Sequence, residues 1–104
     1  MEYPLPPRFQ PGMIVVSTKG HDRGRLYLLL ALKGDKRLLL ADGRARGYVD
    51  AKLKNTKHVR ILGQAIDDQE LDRILESQQC ESECNTMIRK LIAEWVQMKE
   101  TDKE

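Results

Sequence analysis

Glycine cuts the first half of this chain into short apolar runs. Met13-Ile14-Val15-Val16 leads into Gly20-His21-Asp22-Arg23-Gly24-Arg25, and Leu26-Tyr27-Leu28-Leu29-Leu30 follows; Gly34-Asp35 and Asp42-Gly43 then bracket the run at 36–41. Leucine and alanine are good helix formers, so propensity alone would allow a helix over 26–32. Length opposes it, because runs of about six to eight residues bounded by glycine turns suit strands, whereas helices usually exceed about ten residues. Strands are therefore expected at 13–18, 26–33, 36–41, 47–50 and 58–62, with Gly34-Asp35 as a two-residue Gly-X hairpin turn. Several short strands at this spacing imply a small, strongly bent antiparallel barrel.

The flanks read differently. All four prolines, Pro4, Pro6, Pro7 and Pro11, lie in the first eleven residues. Proline lacks an amide donor and restricts the residue before it, so 1–11 is expected to be an extended leader that packs Phe9 onto the domain. Beyond Gln64 the sequence turns acidic and helical. Asp67-Asp68-Gln69-Glu70 places acids where a helix start favours them, and Leu71, Ile74 and Leu75 share a face. Ile88, Leu91, Ile92, Trp95 and Val96 recur at spacings of three and four, with Asn85 or Ser82 as cap. The expectation is a mainly β protein with a helical C-terminal part (α+β): a leader at 1–11, a barrel at 12–64, and at 65–104 an acidic αα-hairpin with a frayed C-terminus, joined near 79–83. The helices can bury their apolar faces on each other, on the barrel or on a second copy. Trp95 is expected in the core; exposed on an apolar patch, it would mark a protein-binding surface.

The net charge of +2 conceals a division. Residues 1–65 carry 13 Lys and Arg against 5 Asp and Glu, whereas residues 66–104 carry 5 against 11. Clustered cations attract polyanions and release their counterions, so the first part reads as a binding module for nucleic acid. The acidic part could fold over it and weaken nonspecific binding. No run approaches the roughly 20 apolar residues of a membrane span, and two cysteines without a secretory signal are too few for a disulfide framework, so a cytoplasmic protein is expected.

The stretch from Pro11 to Tyr27 resembles a KOW motif, and Leu40-Ala41-Asp42-Gly43-Arg44-Ala45-Arg46 with Lys57-His58 extends the likeness over about 11–62. The chain is similar to the small bacterial KOW-domain RNA-binding proteins, which are related to eukaryotic-type large-subunit ribosomal proteins. The resemblance implies an SH3-like barrel of about five short strands that binds structured RNA, especially ribosomal RNA, without catalysis; KOW folds also serve as protein-binding modules. It implies that Gly24 permits the turn after the first strand and that Lys19, Arg23 and Arg25 face phosphates. The chain departs from the pattern at His21, where a permanent charge is expected, and at Ala51, Asn55 and Thr56, which loosen a denser proline and lysine run.

The candidate RNA-binding residues are thus Lys19, His21, Arg23, Gly24 and Arg25 in the turn, and Arg44, Arg46, Lys52, Lys54, Lys57, His58 and Arg60 in a second basic cluster. Such cations read phosphate and shape rather than base edges, which suits folded RNA. Tyr27 and Tyr48 are packing residues or stacking platforms. Asp22 caps the turn or pairs with a neighbouring arginine, and Asp42 shapes the Asp-Gly turn. His21 and His58 have no nucleophile or acid partner at motif spacing, and no enzyme or cofactor is expected. Cys80 and Cys84 with His21 and His58 would be just enough to close a zinc site, but the spacing is not that of a zinc finger, and no metal is expected. The other reading is a protein-interaction adaptor, in which the barrel docks on ribosomal or transcription proteins and the helices mediate assembly.

Overall fold

The computed structural model describes residues 9–101, and within them it is a small α+β domain with one five-stranded antiparallel sheet and two helices. The strands are β1 (Met13–Ser17), β2 (Leu26–Lys33), β3 (Arg37–Ala41), β4 (Lys52–Asn55) and β5 (Val59–Gln64), followed by α1 (Asp68–Glu76) and α2 (Glu81–Thr101). The sheet order is β4-β3-β2-β1-β5, so β1 to β4 form a meander and β5 returns to lie beside β1. A single 3₁₀ turn, Thr56–His58, carries the chain from β4 to β5. Of the leader, residues 1–8, with Pro4, Pro6 and Pro7, lie outside the described residues. Phe9 packs against the apolar cluster of β1 to β3 and β5, as expected.

Strand alternation divides the apolar residues between the two faces of the sheet. Val15, Tyr27, Leu29, Leu38, Leu40 and Val59 form an inner cluster. Ile14, Leu28 and Ala41 point the other way and meet Leu71 and Leu75 of α1 and Cys84, Ile88 and Trp95 of α2. The helices thus cover part of the outer face of the sheet, and one apolar cluster draws on both the 12–64 and the 65–104 segments. Two bulges help β2 and β5 bend: the ladder shifts between Leu29 and Ala31 against β3, and between Ile14 and Val15 against β5.

Three expectations are corrected. The run at 47–50 is not a strand; the fourth strand begins at Lys52, because Asp42, Gly43 and Arg46 close a turn upon themselves and Tyr48 donates its backbone N–H to Asn85 on α2 at 2.7 Å. The β2–β3 connection has three residues, since Lys33 pairs with Arg37 across it. Neither Asn85 nor Ser82 is a cap: α2 begins at Glu81, so both lie inside the helix, and Glu83 accepts the backbone N–H of Gln79, just before it, at 2.8 Å. Among the described residues no helix is long and apolar enough to cross a membrane.

Candidate nucleic-acid interface

The β1–β2 connection is held in shape by its glycines and by one acid. Gly20 and Gly24 have φ of +94° and +89°, in the left-handed region that disfavours any residue with a Cβ. Two tight turns follow: Arg23 donates its backbone N–H to the Gly20 carbonyl at 3.2 Å, and Arg25 to that of Asp22 at 2.9 Å. Gly24 closes the loop by donating to the Ser17 carbonyl at 2.8 Å. Between the glycines the chain turns inward at Asp22, which is only 8% exposed.

The Asp22 carboxylate accepts four hydrogen bonds. Ser17 Oγ and Lys54 Nζ donate to Oδ1 at 2.8 and 2.7 Å, while Tyr27 OH and Lys52 Nζ donate to Oδ2 at 2.7 and 2.9 Å. Burial acts to raise the pKa of this carboxyl, but the hydrogen bonds from Lys54, Tyr27, Lys52 and Ser17 together outweigh it and hold the group well below the usual carboxylate range. Burial, and then the Asp22 charge, push the Tyr27 phenol well above its ordinary value. Lys54 Nζ donates a second bond to the Lys19 carbonyl at 2.7 Å, and Ser17 Oγ lies 3.0 Å from the same oxygen. The loop is therefore bolted to β2 and β4 from inside, and no buried side-chain polar atom among the described residues lacks a partner.

This arrangement sorts the sequence-derived candidates. Lys54, 8% exposed, and Lys52 spend their ammonium groups on Asp22, so they neutralise the loop's acid and fix the loop to the sheet. Asp22 pairs with these two lysines, not with an arginine. Tyr27 is buried with its hydroxyl bound, so it is a packing residue and cannot stack a base. Lys19, His21 and Arg23 are exposed on the loop's outer rim and, among the described residues, have no carboxylate partner. Thr18 donates its backbone N–H to the His58 carbonyl at 2.8 Å, which brings the 3₁₀ turn with Lys57 beside them. Desolvation, and then the charges of Lys19, Lys57 and Lys54, lower the His58 pKa.

A second acid gathers the arginines. Asp42 Oδ1 accepts the backbone N–H groups of Arg44 and Arg46, each at 2.9 Å, as expected for the Asp-Gly turn, and Oδ2 lies 3.6 Å from Arg25. Arg46 also lies 3.6 Å from the exposed Asp50. Arg89 of α2, not among the sequence-derived candidates, donates to the Gly43 carbonyl at 2.6 Å and lines a shallow cavity with Arg44. Helical spacing alone gave no sign of this, because its contact is 46 residues away. Arg60 is exposed on β5, opposite Val16 of β1, and is not joined to either group.

Trp95 does not meet the condition for a docking residue. It is 9% exposed, its ring covers Gly63 of β5, and Lys99 lies 5.5 Å above the ring centre. Among the described residues no three His, Cys, Asp or Glu side chains are grouped to hold a metal; Cys80 is exposed and Cys84 buried, with its thiol directed at the Leu75 carbonyl. Among the described residues every ion pair lies wholly within 1–65 or within 66–104, so the acidic helices do not neutralise the basic side chains by direct pairing. No protein-family model matches the chain, and no curated protein matches it.

Proposed function

We propose that this protein is a non-catalytic RNA-binding protein that reads structured RNA, with ribosomal RNA of the large subunit as its target in translation. The observation that carries the reading is the loop rim: Lys19, His21 and Arg23 stand exposed without carboxylate partners, while the loop's only acid is buried and neutralised from within. A rigid cationic turn places its charges without first having to order them, and such charges match phosphates rather than base edges. Lys57 and His58 extend the surface on one side, and Arg25, Arg44 and Arg46 on the other. The strand order, the returning β5 and the 3₁₀ turn before it support an SH3-like barrel of KOW type.

Sedimentation with ribosomes over a salt series tests this. The Arg23→Ala, Arg25→Ala double variant should weaken association with the large subunit by at least tenfold and make its salt dependence shallower, by roughly one to two in the log–log slope. Association insensitive to both salt and the substitutions overturns the reading.

A further inference from the structure

Away from the basic loop, the outer face of the sheet is not completely covered by the helices. Leu30 of β2, Leu39 of β3, Tyr48 and Leu75 of α1 line an open cavity of about 330 Å³, and the carboxylates of Asp72 and Glu76 stand on its α1 side. The apolar surface continues past the cavity: Leu53, which pairs with Leu39 across the β3–β4 ladder, is 47% exposed, and Tyr48 at the cavity's edge is 39% exposed. Neither Asp72 nor Glu76 is in an ion pair among the described residues; the one within α1 joins Arg73 to Glu70. Helix α1 carries Asp68, Glu70, Asp72 and Glu76 against that single arginine.

We infer that this groove is a docking site for a basic amphipathic segment of another protein, one that inserts one or two large apolar side chains and flanks them with Lys or Arg. The cavity has the volume for one or two such side chains, and burying them would also cover Leu53 beside Leu39. Charge complementarity decides the partner. Carboxylates on the rim repel RNA phosphates and anionic lipid alike, and attract cations. The chain itself has a basic apolar tip, the exposed Leu32 beside Lys33, Lys36 and Arg37, so a second copy is the occupant that the test must separate from a partner protein. Lys52 and Lys54 reach Asp22 from the face of β4 opposite to Leu53, so an occupant of the groove leaves the basic loop free. RNA on the β1–β2 loop and a basic protein segment in the groove can therefore be held together.

The test uses the full chain and two synthetic helical peptides of about four turns, identical in their leucine face and carrying either lysine or glutamate on the flanks. Titration of the lysine peptide should shift the NMR signals of Leu30, Leu39, Tyr48 and Leu75 while leaving those of Lys19 to Arg25 in place. The exposed pair Asp72→Lys, Glu76→Lys should weaken that peptide at least tenfold without weakening ribosome association. Equal binding of the glutamate peptide, shifts elsewhere than the groove, or no binding overturns the inference. Groove signals that move with protein concentration alone, or on addition of RNA, overturn it in favour of a second copy or of the nucleic acid.

Discussion

At the scale of single residues, Asp22 decides most. Replacing it with Asn leaves the buried Lys54 ammonium without a counter-charge, and breaking a buried pair from one side costs about 3–5 kcal/mol; urea unfolding of Asp22→Asn should show a loss of that order. Its titration carries the same information. The folded pKa lies below the unfolded value, so the carboxylate's contribution is whole above about pH 4 and declines as the pH falls from there, by up to about 1.4 kcal/mol per pH unit. The Asp22→Asn variant should lose this part of the acid slope. His58 reports from the outside: its pKa, depressed in the free protein, should rise when RNA phosphates enter the cation cluster, which NMR titration with and without RNA can follow. The loop's cations could be read from composition and spacing alone. That Lys52 and Lys54 serve Asp22 could not, because they lie 30 and 32 residues from it and only the strand register brings them together.

At the scale of elements, the strands were legible where the sequence punctuates them. Glycine turns bound β2, and its expected limits match those observed. Between Asp42 and Lys52 the punctuation misleads, because what shapes that segment is α2, some forty residues away. Asn85 accepts the Tyr48 amide and Arg89 holds the Gly43 carbonyl, so the segment is a tethered loop. Asn85→Ala should cost about 0.5–1.5 kcal/mol by removing the acceptor of the Tyr48 amide, and hydrogen exchange at Tyr48 should accelerate while that of β1 and β2 changes little. The bulges were equally hidden, since an extra residue in a ladder has no local signature in a run such as Leu28-Leu29-Leu30.

At the scale of the molecule, the charge division visible in the sequence is realised as two surfaces of one folding unit. Deleting residues 66–104 would strip Leu71, Leu75, Ile88 and Trp95 from the outer cluster and bare Ile14 and Leu28. Each buried side chain of this size contributes about 1.5–3 kcal/mol, and the loss rivals the roughly 5–15 kcal/mol that holds a domain folded. The truncated chain should therefore lose its cooperative urea transition, and any fall in RNA affinity would follow from unfolding. The placement of Trp95 has a practical corollary. It is the only tryptophan, and it is seated on Gly63 at the seam between α2 and β5. Its emission is thus a built-in optical gauge of that seam: it should redden when the helix lifts from the sheet and stay dark to events at the β1–β2 loop, so one wavelength separates helix undocking from ligand capture without any added label.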